Sequence, residues 1–204
     1  MKKIVVYDFD KTLTYKDTLW GFFTIAGRER ALFVLKMFMY VKDMILAKAG
    51  LITNTELKKR GVRYFLKGLS AGTIEELSRV YVKQIRLNRL YRQMIDTMQN
   101  DTDYFVVSAS FETYVRLLFP DNVTVIGSRL AYKNGHVDSL AFNCYKEAKR
   151  SVLHETGIYT IDLLYTDSYS DAALAEMAKK IVVVDKDNLK VCEDAKAFRE
   201  CFVR

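Results

Sequence analysis

Lys3-Ile4-Val5-Val6-Tyr7-Asp8-Phe9-Asp10-Lys11-Thr12-Leu13-Thr14 couples a short apolar run to a pair of acids. Ile4 to Tyr7 are β-branched or aromatic without polar interruption, the composition of a strand buried on both faces of a parallel sheet. Asp8 and Asp10 leave that strand together, two positions apart, at the carboxyl end where open α/β sheets bind ligands. Two carboxylates so close are costly without a cation. Taken alone, the pair is a solvated acidic turn or half of a cation-assisted site, and the rest of the chain has to decide.

Further strands follow. Thr102–Val107 is one, running into Ser108-Ala109-Ser110 and a helical pattern from Glu112 to Phe119. Val123–Gly127 is another, and Arg129–Tyr132 and Val137–Phe142 flank Asn134-Gly135, a good hairpin turn. Ile161–Tyr165 leads into Thr166-Asp167, a helix is expected from about Asp171 to Lys179, and Ile181–Val184 is expected to close the sheet. Strands alternating with helices predict an α/β fold with a doubly wound parallel sheet.

Composition divides the chain. Of 204 residues half are apolar, enough for a sizeable core. The net charge of +7 is uneven: Tyr15 to Asp96 holds sixteen Lys or Arg against seven Asp or Glu, leaving the remainder at −2. With helical patterns from about Asp17 to Met98, this predicts a basic helical cap, residues 15–98, inserted into a catalytic core of residues 1–14 and 99–204. Cys144, Cys192 and Cys201 lack metal-ligand spacing, and Met1-Lys2-Lys3 leads into a strand, so a reducing, cytoplasmic setting is expected. Ala31 to Ile52 is the longest hydrophobic stretch, but Lys36, Lys42, Asp43 and Lys48 interrupt it, and no spanning segment is expected.

Three strand ends then deliver chemistry in order: Asp8 and Asp10; Ser108; Asp167 with Asp171. Lys149 and Lys146 lie at the start of the helix before the last of these strands. Singly, Ser108 reads as a helix N-cap, Lys149 as solvated surface and Asp171 as a cap. Together they resemble the haloacid dehalogenase-like hydrolase superfamily: Asp8-Phe9-Asp10-Lys11-Thr12 is similar to its first motif, Ser108 to its second-motif serine, Lys149 to its third-motif lysine and Asp167 to Asp171 to its fourth-motif acids. Ser108-Ala109-Ser110, Asn143 to Lys149 and a helical cap directly after the first motif resemble the phosphoserine-phosphatase-like subfamily, and the cap is also similar to that of its phosphatidylglycerophosphatase C-like members.

The resemblance implies a phosphate-monoester hydrolase. Asp8 would attack phosphorus and form an aspartyl-phosphate, and Asp10 would protonate the leaving oxygen and then activate water. Magnesium would be held by Asp8, the main-chain carbonyl of Asp10 and Asp167. Ser108, Ala109, Thr12 and Lys149 would hold the phosphate, with Ser110 and Asp171 in support and Thr12 adding hydrogen bonds. Lys11 and Lys146 depart from the pattern, standing where glycine is frequent.

The implied substrate is a small phosphorylated metabolite or a phospholipid headgroup. Val34, Phe38, Val41 and Ile45 fall on one helical face of the cap. That face is expected to be buried by neighbours or a partner chain, the competing reading being peripheral contact with the inner face of the membrane. Two other functions remain in play: a phosphoaspartate signalling module without turnover, opposed by Asp10 and the large cap, and a nucleic-acid-binding protein, suggested by charge alone.

Overall fold

Residues 2–202 are described in a computed structural model of the chain; the expected core limits at 1 and 204 lie outside them. Seven strands, β1 (Lys3–Tyr7), β2 (Thr102–Phe111), β3 (Val123–Lys133), β4 (His136–Phe142), β5 (Leu163–Thr166), β6 (Ile181–Asp185) and β7 (Asn188–Cys192), form one sheet in the order β4-β3-β2-β1-β5-β6-β7. The five inner strands are parallel and the two edges antiparallel. The acid-bearing strand is therefore central, with both faces available for burial. Val5 and Tyr7 point into one core, and Val6 into the other. Each such fully buried side chain contributes roughly 1.5–3 kcal/mol.

Between β1 and β2 lie α1 (Leu19–Gly27), α2 (Phe33–Lys48), α3 (Asn54–Gly61), which continues as a π-helical turn over Val62–Leu66, α4 (Ala71–Val82) and α5 (Arg89–Asp96). The chain leaves and re-enters through paired segments: Tyr15 N donates to Arg86 O at 3.1 Å, and Asn88 N to Leu13 O at 3.0 Å. Aromatic rings bolt α1 to the sheet, with Phe22 against Phe111 and Tyr114 at 5.9 and 4.9 Å between centroids. The remaining helices are α6 (Glu112–Val115), α7 (Glu147–Glu155), α8 (Ala172–Ala175) and α9 (Ala195–Glu200).

Three expectations change. Val123–Gly127 and Arg129–Tyr132 are one strand, β3, which pairs with β2 along its first half and β4 along its second. The helix expected over 171–179 is a 3₁₀ turn, Tyr169–Asp171, followed by the single turn of α8. It stops because Met177 O and Lys179 N are taken by Ile161 in a bridge at the start of the β5 segment. Nor does Ile181–Val184 close the sheet, since β7 pairs beyond it. The intervening turn has no Asn-Gly or Asp-Gly signal, and Lys186 itself adopts a positive φ of 57°.

α2 is apolar nearly all round, and its outward side is exposed. Val34, Phe38 and Ile45 are 66, 71 and 65% accessible, so the described residues do not bury the face expected to be covered.

Candidate active site

The site forms where β1, β2 and β5 end. Asp8 continues the ladder, its N–H donating to Tyr165 O at 2.9 Å. Phe9 turns into the core and is fully buried, so Asp8 and Asp10 stand on either side of an anchored ring. Lys11 then takes φ 60°, and its N–H donates to Thr14 Oγ1 at 3.0 Å. Lys146 at the start of α7 also has a positive φ, 53° with ψ −123°. Both lysines thus occupy backbone conformations that glycine adopts without cost, which accounts physically for glycine being frequent there. Their side chains are exposed.

From α7, Lys149 reaches inward. It is 2% exposed and bridges two carboxylates, with Nζ 2.7 Å from Asp8 Oδ1 and 2.7 Å from Asp171 Oδ1. Burial opposes its charge, but the carboxylates of Asp171 and Asp8 prevail and raise its pKa. Asp171, fully buried, makes no capping bond to α8; its other oxygen accepts from Thr166 Oγ1 at 2.7 Å. Neither residue plays the bland part available to it from sequence.

Ser108-Ala109-Ser110 sits in a bulge of β2. The register with β3 runs from Val107↔Ile126 directly to Phe111↔Ser128, so three residues oppose one, Gly127. A Cβ on Gly127 would lie 2.6 Å from Glu112 N and 2.8 Å from Ser110 O, so this close approach requires glycine. The bulge carries Ser110 to Asp10, Oγ to Oδ2 at 2.5 Å. Ser108 is fully buried and accepts from Ser110 N at 3.0 Å; it is not a helix N-cap, since α6 starts after Phe111. Thr12 Oγ1 is buried without a hydrogen-bond partner, an orphan that a phosphate oxygen would satisfy.

Asp10 is held from the cap side as well. Its Oδ1 accepts from Thr18 N at 2.8 Å and Thr18 Oγ1 at 2.7 Å, and the same hydroxyl contacts Tyr114 OH at 2.8 Å. Burial, then the neighbouring Asp17 charge, push Asp10 up to about 7 despite these donors. Asp167, half-buried, is likewise pushed to about 7, by burial and then by Asp8. Crowded hard oxygens of this kind suit magnesium, which takes one or two carboxylates and keeps several waters. Among the described residues no three His, Cys, Asp or Glu side chains converge as ligands, so the fit rests on Asp8 and Asp167 with main-chain oxygen and water completing the set.

Beyond Asp10, a cavity of about 440 Å³ opens between cap and core. Leu19, Trp20, Tyr40, Met44 and Leu57 give it apolar walls; Asp17, Lys58, Asn143 and Tyr145 give it polar points. Trp20 and Tyr40 stack with centroids 5.5 Å apart. Lys58, on α3 and only 4% exposed, donates to Ala109 O, Ser128 Oγ and Asn143 Oδ1, tying the cap to the bulge of β2. Asn143 Nδ2 returns a bond to Thr55 Oγ1 at 2.8 Å. Burial lowers the Lys58 pKa to about 8. Sequence reasoning passed over Thr18, Lys58 and the aromatic walls. No local pattern marks them: Lys58 is one of three consecutive basic residues in α3 and reads as solvated surface.

Among curated proteins none matches this sequence. Solved structures match in fold. A phosphoserine phosphatase captured as an analogue of its phospho-aspartyl intermediate is 20% identical with a TM-score of 0.61, over 89% of this chain and 86% of that one. Phosphoserine phosphatase from T. onnurineus is 19% identical, TM-score 0.61, over 98% and 94%. A phosphoserine phosphohydrolase-like protein from Francisella tularensis aligns over the whole of both chains at 17% identity and TM-score 0.61. The family model for haloacid dehalogenase-like hydrolase matches residues 5–176, a span containing every strand end and side chain of the constellation around Asp8. By that match the chain belongs to the haloacid dehalogenase-like hydrolases.

Proposed function

We propose that this chain is a magnesium-dependent phosphomonoesterase of the phosphoserine-phosphatase-like type, working through an aspartyl-phosphate on Asp8. The observation that carries the reading is the contrast between the two acids of the first motif. Asp8 is anchored by the Lys149 ammonium, whereas Asp10 faces the cavity and is poised near 7, where a carboxyl both gives and takes a proton. The signalling alternative has no use for a proton donor beside a leaving-group cavity.

In the first step a carboxylate oxygen of Asp8 attacks phosphorus, the ester P–O bond breaks, and the Asp10 proton passes to the departing oxygen. In the second, Asp10 takes a proton from water, the water oxygen attacks phosphorus, and the acyl-phosphate bond breaks, releasing phosphate and restoring both acids. Magnesium on Asp8, Asp167 and the Asp10 carbonyl would supply charge neutralisation for the approach of an anionic ester. Lys149 offsets charge on the transferring group, and Ser108, Ala109 N–H and Thr12 hold its oxygens. Asp171 keeps Lys149 charged and in place, and Ser110 and Thr18 orient Asp10.

The leaving group occupies the cavity between α1, α2, α3 and Tyr145. Its walls suit a group with an apolar side and polar ends, carried by a small phosphorylated metabolite or a phospholipid headgroup. Phosphate release with magnesium across phosphoserine, sugar phosphates, nucleotides and short-chain phosphatidylglycerophosphate tests this. Turnover of one class that disappears in Asp8→Asn supports the reading; equal turnover by Asp8→Asn overturns it.

A further inference from the structure

α2 has two working sides. Tyr40 and Met44 face inward and line the cavity beside Asp10. On the opposite side Val34, Leu35, Phe38, Val41 and Ile45 form a stripe along a helix about 24 Å long. They are 66, 54, 71, 40 and 65% exposed, and Leu32 and Leu51, 67 and 71% exposed, prolong the stripe at both ends. Monomeric proteins seldom leave so continuous an apolar strip to water.

Its charges are one-sided. Lys42 lies among these residues on the helical wheel, and Lys48 flanks them in the last turn; both are exposed. The single acid of α2, Asp43, is on the other side, fully buried and bound to Arg60 at 2.8 Å and to Tyr64 OH at 2.9 Å; Lys42, its side chain 64% exposed, approaches the same carboxylate only to 3.8 Å. What faces outward is therefore apolar with positive charge alone, on a cap where Lys and Arg outnumber Asp and Glu by sixteen to seven.

The geometry points to an anionic lipid surface as the occupant of this face: α2 lies in the plane of the interface, its stripe among the acyl chains and Lys42 and Lys48 at the headgroups. A second copy of the chain fits less well. Two-fold packing through the stripe would bring the lysines of two basic caps together with no acid on either face to receive them. No helix among the described residues is long and apolar enough to cross a membrane, so the contact is peripheral. Because α2 also walls the cavity, docking puts the leaving-group site about one helix diameter, roughly 10 Å, from the lipid surface. That consequence for the substrate rests on the phosphatase reading; the docking itself does not.

The test is flotation of the full chain with vesicles of phosphatidylcholine alone or mixed with phosphatidylglycerol, beside size-exclusion chromatography with light scattering. The expected result is binding to the mixed vesicles only, weakened by salt. F38Q/I45Q should reduce it more than about tenfold, and Lys42→Glu about fivefold or more. These variants should hydrolyse a soluble ester normally, and Asp8→Asn should float like wild type, so that loss of docking and loss of catalysis are read separately. The proposal is overturned if wild type ignores anionic vesicles, if F38Q/I45Q floats unchanged, or if the chain is a dimer that the same pair of substitutions splits.

Discussion

The phosphate end of the site and the cap end are built on opposite terms. At the phosphate end, three adjacent parallel strands terminate together and the side chains gathered there lock one another: Lys149, reaching in from α7, is gripped by two carboxylates, and Asp171 is held in turn by Thr166. At the cap end, the cavity is walled by α1, α2, α3 and the segment around Tyr145; α1 is fixed to the core by Thr18 and Phe22, while α3 meets it through Lys58 and the Asn143 amide. Strand ends in a fixed sheet leave a side chain little freedom, whereas the helices of an insert that only wall the cavity, α2 and α3, can be respaced with less effect on the acids; α1 is the exception, since Thr18 at its start holds Asp10. The first arrangement should therefore set rate, and the second selectivity.

Four substitutions or conditions probe that contrast, from the largest effect downward. Asp8→Asn keeps shape and removes the proposed nucleophile; hydrolysis of every ester should fall by at least about a thousandfold, measured as phosphate release, with the fold intact by circular dichroism. Trp20→Ala should behave differently, lowering kcat/KM for the preferred ester about tenfold or more while leaving acetyl phosphate, whose leaving group barely enters the cavity, within about twofold. Uniform loss on both substrates would erase the distinction between the two ends.

Metal removal bears on the phosphate end alone. Asp10 and Asp167 sit near 7 in the folded protein against about 3.8 ordinarily, raised by burial and neighbouring acids. Between those values the folded chain holds protons that the unfolded chain has released, so the stability these groups contribute is present below about pH 4 and lost as pH rises through 7. In chelator, Tm should fall from about pH 5 to about pH 8. Magnesium should restore it most at the higher pH, where both carboxylates are free to ionise. A metal response independent of pH would argue against Asp167 as a ligand.

The smallest effect belongs to Lys11 and Lys146, both at positive φ. Replacing either with glycine should raise stability by about 1 kcal/mol in urea titration, the relief of backbone strain exceeding the added entropy of the unfolded chain. Unchanged turnover would show that the two ammonium groups are surface features; a marked loss would give them a part in drawing the anionic ester to the site.

The same contrast explains what was legible in the sequence. Asp8, Asp10, Ser108 and Asp167 lie in or just beyond apolar strand runs, with Asp171 in the turn that follows, and the period of a strand together with a central position in the sheet translates directly into place; Lys149, inside α7, is marked by the motif resemblance and not by any strand. Thr18, just before α1, and Trp20 and Lys58, within α1 and α3, depend for their placement on long-range packing, such as Phe22 against Tyr114. Local pattern carries none of that. The outer face of α2 shows the limit from another side, because apolar periodicity marks a stripe without saying whether protein covers it. β7 went unseen because its hairpin turns at Lys186 instead of at a glycine.

The most direct test of the account is to look for phosphate on Asp8 in the Asp10→Asn protein. With para-nitrophenyl phosphate, whose leaving group needs no proton, the first step should proceed and the second should stall for want of a base. Acid quench followed by peptide mass spectrometry should then find the peptide containing Asp8 carrying one phosphoryl group, at a level rising toward one per chain. Phosphate on a different residue, or steady hydrolysis by Asp8→Asn with none on the protein at any time, would contradict it.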